Sequence, residues 1–249
     1  MHASEYAVMR ACEDAHWWYV GLHDITLETM KKLTPAGAPG RWLDAGCGTG
    51  GLIEKSAGVM PEIIGMEPSE HAFTELKSRQ AQNLVRGDLL RSPFPANAFD
   101  IVTSHDVIGL FAGHDLSQAV NQLCRMVRPG GHLILNLPAF QFLHSDHDRF
   151  VGNQTRFNAR IARTLLENEN MQVVSITCRL FFLFPLVAAS RLLDQFKKRS
   201  EVTQSDVKMP NAMINTVLLG ILRLENRLIR LGICFPWGLS LFVVAQKRN

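Results

Sequence analysis

The sequence predicts an α/β protein built on an open, doubly wound parallel sheet, and three observations predict it. Between Arg41 and about Thr177, short apolar runs alternate with amphipathic segments, the rhythm of β-strands and crossover helices. The first run ends in a glycine-rich turn, "RWLDAGCGTGG" over residues 41–51. Residues suited to ligand contact recur where the runs end: Gly46, Glu67, Asp88, His105 and Pro138. Ligands of such sheets bind beyond the carboxyl ends of the strands, so one edge of the sheet is expected to carry the site.

"RWLDAG" is the first strand, and "GLIEKSAGV" the helix after its glycine turn. "EIIGME" is the second strand, and "SEHAFTELKSR" a helix with Ser69 as its N-cap after Pro68. "NLVRGD" and "AFDIVTSHDVI" are the third and fourth strands. The helix "LSQAVNQLCRMV" stops at "RPGG", and "HLILNLPA" is the fifth strand. "NARIARTLLENEN" is a helix, "QVVSITCRL" the sixth strand and "LSLFVVAQK" the last.

Composition bounds the function. A chain of 249 residues with 47% hydrophobic and 20% charged residues is a folded globular protein. A net charge of +3 is too mild to indicate nucleic-acid binding. Cys12, Cys47, Cys124, Cys178 and Cys234 show no C-x-x-C spacing, which suits free thiols in a reducing compartment. The first twenty residues carry acids and lack an early apolar run, unlike a signal peptide. The apolar run from Leu180 is closed by Arg191, short of the roughly 20 residues that span a bilayer. A cytoplasmic protein is expected, with peripheral contact at the inner membrane as a further option.

The glycine turn satisfies G-x-G-x-x-G through Gly46, Gly48 and Gly51, which by itself suggests NAD. Asp44, two residues before the first glycine, argues against that: a carboxylate there repels a pyrophosphate and attracts a cation or an ammonium group. Glu67 ends the second strand and can accept both hydroxyls of a ribose, a feature shared with NAD proteins. Asp88 ends the third strand, where a carboxylate can accept from an exocyclic adenine amine while the Leu89 N–H faces a ring nitrogen.

"LDAGCGTG", "GMEPS", "GDLLRSPFPANAFDIV" and "LCRMVRPGGHLILNLPA", in this order over roughly residues 41–137, resemble the ordered motifs of the class I S-adenosylmethionine-dependent methyltransferases. The N-terminal "HWWYVGLHD" is similar to a segment of a bacterial small-molecule subgroup of that family, in which arginines are usual where this chain has Val20, Leu22 and His23. The resemblance implies a Rossmann-like seven-stranded sheet with an antiparallel last strand, and S-adenosyl-L-methionine as cofactor. It also implies Asp44 and Gly46, with Cys47 and Gly48 in the same turn, near the methionine part. Glu67, with Pro68 beside it, would meet the ribose, and Asp88 with Leu89 the adenine. Cys47 also reads as a small residue required for packing.

Trp18, within "HWWY", can lid the cofactor, since an indole face attracts a sulfonium; the other reading packs these aromatics on the core. His105 at the sheet edge can line the cofactor or substrate, or make a single loop hydrogen bond. The loop "FLHSDHDRFVGNQTRF" follows the fifth strand, where the methyl group is expected to point. His147 is the candidate general base, Asp146 or Asp148 its orienting acid and His144 the alternate base. Arg156 and Phe157 are candidates to close the pocket. The spacing of "HSDH" is not that of a metal site, and no metal is expected.

Three segments are expected: an N-terminal helical lid at 1–40, a methyltransferase core at 41–185 and 238–249, and a basic helical insert at 186–237. The insert holds eight basic and four acidic residues. Ile214, Val217, Leu218, Ile221, Leu224 and Leu228 form an apolar stripe backed by Arg223, Arg227 and Arg230. One reading is a surface for lipid or a hydrophobic substrate, the other a cap whose stripe covers the domain. The aromatic segments "CRLFFLFPL" and "CFPWGLSLF" on either side are expected to roof the substrate pocket. The predicted activity is O-methylation of a small or amphipathic metabolite. An NAD-dependent oxidoreductase and a catalytically idle, membrane-associated cofactor-binding partner are the rivals.

Overall fold

The apolar runs become strands, and period-two alternation sends neighbouring side chains to opposite faces. The computed structural model describes residues 3–34, 40–57, 62–79, 83–194 and 209–249. Helices α1 (Ala3–Cys12) and α2 (Trp17–Leu33) precede β1 (Arg41–Ala45), α3 (Gly51–Ser56) and β2 (Glu62–Glu67). There follow α4 (Glu70–Ser78), β3 (Leu84–Arg86), β4 (Phe99–His105), α5 (Gly113–Met126), β5 (Val127–Pro138), α6 (Asp146–Val151) and α7 (Ala159–Glu167). The described chain closes with β6 (Met171–Arg179), α8 (Phe184–Asp194), α9 (Ala212–Arg230) and β7 (Ser240–Lys247).

The seven strands form one sheet in the order β3-β2-β1-β4-β5-β7-β6. Only β7 runs antiparallel, to both β5 and β6, so the Rossmann-like sheet with an antiparallel last strand is the one expected. Leu43, Val102, Leu135 and Leu241 face one core with α5 and α7. Trp42, Ile101, Ile134 and Phe242 face the other, against α2. Burial on both faces explains why the strands read as apolar runs rather than alternating ones. Ser69 caps α4 as predicted, its Oγ accepting from the Ala72 N–H at 3.4 Å. Cys12, Cys47, Cys124 and Cys178 are buried free thiols, and Cys234 is an exposed one.

Helix α9 corrects the reading of the insert as a cap whose apolar stripe covers the domain. It runs alongside α2 in the same direction, but its buried positions are Leu222, Glu225 and Asn226. Ile214, Val217 and Leu224 of the apolar stripe are exposed. Polar fit decides the orientation. Asn226 Nδ2 donates to the Gly21 carbonyl at 2.8 Å, Arg223 pairs with Asp24 at 3.1 Å, and Arg230 pairs with Glu28. Asn215 Oδ1 accepts from the Trp17 N–H at 2.9 Å. Gly21 permits the close approach, since a Cβ there would lie 2.7 Å from Leu222 Cδ2. The side chains of Arg191, Lys197, Lys198, Arg199 and Lys208, which give the insert much of its charge, lie outside the described residues. Among the described residues no helix is long and apolar enough to cross a membrane.

Leu222 is fully buried where α9 meets α2, so Leu222→Ala is expected to cost about 2–5 kcal/mol. A urea titration should show a lower midpoint at unchanged slope. An unchanged midpoint would mean that α9 adds little to the stability of the fold.

Candidate active site

The glycine turn is folded onto the end of β2. Gly46 adopts φ +81°, and the Gly46 and Cys47 N–H groups both donate to the Met66 carbonyl, at 2.7 and 3.1 Å. A Cβ on Gly46 would lie 2.3 Å from Val107 Cγ2, so side chain and backbone conformation both exclude larger residues. The Gly48 N–H donates to Glu67 Oε2 at 3.1 Å, tying the turn to the acid that ends β2. Glu67 Oε1 accepts from the Ser69 N–H and from the Tyr6 hydroxyl, both at 3.1 Å. Burial raises the Glu67 carboxyl above its usual range. Burial, and then the charge of Glu67, pushes the Tyr6 hydroxyl up to about 12.

Asp44 is buried at the end of β1 and accepts from Thr103 Oγ1 at 2.8 Å. Burial pushes its carboxyl up to about 7, with Glu67 and Glu13 adding to the effect against the Thr103 hydrogen bond. Cys47 packs its sulfur against Gly65, where a Cβ would lie 2.8 Å away, and burial raises its thiol far above the ordinary value. It is shaped for packing. Asp88 is exposed at the end of β3, and its Oδ1 accepts from the Leu90 N–H at 2.9 Å, capping a single turn that begins with the buried Leu89. Pro68 is exposed beside Glu67, its carbonyl accepting from Arg86 Nε at 3.4 Å.

Glu13 is a site residue that no motif in the sequence marks. Its Oε2 accepts from the Gly51 N–H at 3.1 Å and its Oε1 from the Thr49 hydroxyl, at the start of α3. Arg79, just after α4, holds the same carboxylate at 2.7 Å and Asp14 at 2.8 Å. Donors at the start of α3, which would meet a phosphate in a dinucleotide site, thus already bind a carboxylate of the chain. Met9 of α1 sits over the turn, with its sulfur 3.0 Å from where a Gly48 Cβ would be. Tyr6, Met9 and Glu13 together seat α1 and the residues after it on the glycine turn.

Along the edge, His105 ends β4 with its Nε2 3.2 Å from Thr26 Oγ1 of α2. Burial, and then the charge of Arg179, pushes its imidazole down to about 3, so it is neutral near pH 7. Asp106 follows in a left-handed conformation, φ +56°, and its Oδ2 accepts from Asn136 Nδ2 at 2.9 Å. Trp18 meets Tyr19 edge to face at 4.7 Å and packs against the core cluster of Leu22, Ile25 and Trp42.

The residues after β5 are more ordered than the polar loop that "HSDH" suggests, because Ser145 and Asp148 form a capping box at the start of α6. Asp148 is taken up structurally. Its oxygens accept from Arg156 Nε at 3.0 Å, Arg156 Nη2 at 2.9 Å, Asn153 Nδ2 at 2.7 Å and the Ser145 N–H at 2.8 Å. Arg156 beside it holds the Asp148 carboxyl below its usual range, against the effect of burial. His144 Nε2 lies 3.1 Å from the Asn153 carbonyl, and His147 lies one turn away in α6. Phe157 is fully buried in the core rather than lining a pocket. The two aromatic segments do meet: Phe142, Phe181, Phe182, Phe184 and Trp237 line an apolar groove of about 560 Å³.

A family model described as a methyltransferase domain matches residues 43–135. An uncharacterized methyltransferase of Schizosaccharomyces pombe is 31% identical over 47% of this chain and 49% of its own length. A demethylmenaquinone methyltransferase of Staphylococcus aureus is 31% identical over 44% of this chain and 50% of its own. The chain thus spans about half the length of the curated relatives it matches. A solved S-adenosylmethionine-dependent methyltransferase of Thermotoga maritima superposes with a TM-score of 0.58 at 18% identity, covering 98% of this chain and 96% of that one. A [4+2]-cyclase superposes at 0.56 and 16% identity over 90% of this chain and 80% of that one. At such identities the likeness is one of fold, and the cyclase shows that the fold alone does not fix the chemistry.

The Asp44 carboxyl binds its proton more tightly folded, at about 7, than unfolded, at 3.8. Its burial therefore costs stability progressively as pH rises from about 4 to about 7, and by a constant amount above that. Asp44→Asn is expected to raise the melting temperature at pH 8 and to flatten the decline between pH 4 and 7 in melts followed by circular dichroism. A variant that melts below the wild type at pH 8 would show the carboxylate to be stabilising.

Proposed function

We propose that this chain, which matches a methyltransferase-domain model over residues 43–135, is a class I S-adenosylmethionine-dependent methyltransferase that binds S-adenosylmethionine and methylates an oxygen of a small or amphipathic acceptor. One observation carries the cofactor choice. The helix start that would hold a pyrophosphate binds Glu13, while Asp44 and Glu67 flank the turn. That donor set fits a ligand with a cationic end and a pair of hydroxyls, and it opposes the phosphates of NAD.

In this reading Glu67 accepts the ribose hydroxyls, and the Tyr6 hydroxyl yields its place on Oε1. Asp88 and the Leu89 N–H read the adenine. Asp44 and the turn at Gly46 and Gly48 receive the amino-acid end, and ionised Asp44 gains a positive partner there. When bound, S-adenosylmethionine supplies a methyl group on a positively charged sulfur, so the leaving group needs no activation. The chain supplies proximity, exclusion of water by α1 and α2, and a proton acceptor for a hydroxyl. His147 takes that proton on a ring nitrogen, with His144 as the alternate. The aromatic groove supports an acceptor with an apolar part.

Isothermal titration with S-adenosylhomocysteine and NADH tests the cofactor. The wild type is expected to bind the first only, and Glu67→Ala and Asp88→Ala to weaken it about tenfold or more. NADH binding without S-adenosylhomocysteine binding would overturn the reading. Transfer of labelled methyl to metabolites of a lysate tests catalysis. His147→Ala is expected to spare cofactor binding and to lower transfer ~10²-fold. Unchanged transfer would remove His147 as base, and no transfer by the wild type to any metabolite would favour the idle binding partner.

A further inference from the structure

Arg179, the last residue of β6, is fully buried, and its Nε, Nη1 and Nη2 have no hydrogen-bond partner among the described residues. A guanidinium stripped of water with no hydrogen-bond partner is strongly unfavourable, so its presence calls for a compensating role. Strand pairing gives its surroundings. Arg179 pairs with Ser240, Asn136 with both His105 and Phe242, and Pro138 with Ser240. By alternation from Ile134 and Phe242, the side chains of Asn136, Ser240 and Arg179 share the face covered by α2 and α9. Ser240 Oγ and Asn136 Oδ1 also have no hydrogen-bond partner among the described residues. Unsatisfied buried atoms thus gather under two helices at one edge of the sheet.

The charges facing Arg179 limit what fits. Asp106 and Glu225 support its charge, while the Asp106 oxygen Oδ2 is held by Asn136 and the Glu225 oxygens by the Leu180 and Phe181 N–H groups at 2.6 and 2.8 Å. His105 and His23 nearby are buried with lowered pKa, hence neutral near pH 7. Two acids beside one guanidinium oppose a phosphate dianion. A planar fork of N–H donors matches a two-oxygen group of single charge. Four steps of the sheet, at about 4.8 Å each or roughly 19 Å, separate β6 from β1, so the fork belongs to the acceptor side and not to the cofactor turn.

We propose that Arg179, with the Ser240 hydroxyl, is the anchor for a carboxylate carried by the methyl acceptor. The proposal rests on the methyltransferase reading for what the ligand is, and on the buried fork for how it is held. Gly238 fixes the anchor's backbone: a Cβ there would lie 2.1 Å from the Arg179 carbonyl, which accepts from the Leu239 N–H at 2.9 Å.

Matched acid and amide probes test it: benzoate with benzamide, indole-3-acetate with indole-3-acetamide, octanoate with octanamide. Each is titrated into the wild-type chain with and without S-adenosylhomocysteine. At least one acid is expected to bind tenfold or more tightly than its amide. Arg179→Met is expected to abolish that preference, to keep S-adenosylhomocysteine binding and to melt no lower than the wild type, since it removes a buried guanidinium that makes no hydrogen bond. Arg179→Lys, which keeps the charge and loses the fork, is expected to weaken the same acid and serves if the methionine variant does not fold. Equal binding of every acid and amide, or a preference that survives in both variants, overturns the proposal. So does a melting temperature of Arg179→Met several degrees below the wild type, the mark of a structural arginine. Failure of the wild type to bind S-adenosylhomocysteine would instead overturn the cofactor reading, and the acid–amide comparison still decides the anchor.

Discussion

The contact of Glu13 with the start of α3 is the constraint from which the rest of the site follows. One carboxylate satisfies the Gly51 N–H and the Thr49 hydroxyl, and Arg79 pairs with it in a buried place. It fixes the conformation of the glycine turn, seats the N-terminal segment on the domain and ties it to the end of α4. Arg79 also pairs with Glu54 of α3, so the second helical layer closes around the same guanidinium. Without that cation, Glu13, Asp44 and Glu67 would be three buried acids around one turn. Burial raises the carboxyls of Asp44 and Glu67 above their usual range.

Such raised values are unfavourable to folding and are found where a ligand restores the balance. The hydrogen bonds agree. Glu67 is held by the Gly48 N–H of the turn, the Ser69 N–H and the Tyr6 hydroxyl of α1. The two N–H donors are backbone groups of the glycine turn and of the N-cap of α4. The Tyr6 hydroxyl, on α1, is the partner that can be exchanged for a ligand hydroxyl without undoing the sheet.

Much of this edge was legible in the sequence, because position on a strand is a local property. Asp44, Glu67, Asp88 and His105 fall at strand ends by counting along apolar runs, and the structure puts each at a strand end. Glu13 and Arg179 were not legible, because their roles come from packing. Glu13 lies between two helices in an ordinary acidic segment, and Arg179 is the third residue of an unremarkable "TCRL". Helix α9 misled for a related reason: hydrophobic periodicity assumes an apolar partner, whereas α2 offers Gly21 and two acids, Asp24 and Glu28. Asp148 misled because a carboxylate near two histidines looks like a catalytic pair, while Arg156, eight residues on, binds it bidentately.

The sheet also divides by charge, and the division bears on direction. Its β1–β2–β3 half carries Asp44, Glu67 and Asp88 at the carboxyl edge, and its β5–β7–β6 half carries Asn136, Ser240 and Arg179. A cationic, hydroxyl-bearing ligand is favoured on the first half and an anionic one on the second. His105, neutral and held by Thr26, stands on β4 between them. A sulfonium drawn to the first half and an acceptor anchored by its anionic group on the second face each other across that strand, which suits an in-line displacement at carbon. Burial favours such an approach of opposite charges, but charge sets neither distance nor angle, so the protein cannot rely on charge alone. Alignment of the two ligands, fixed by α1 on one side and by α2 with α9 on the other, has to carry the remainder.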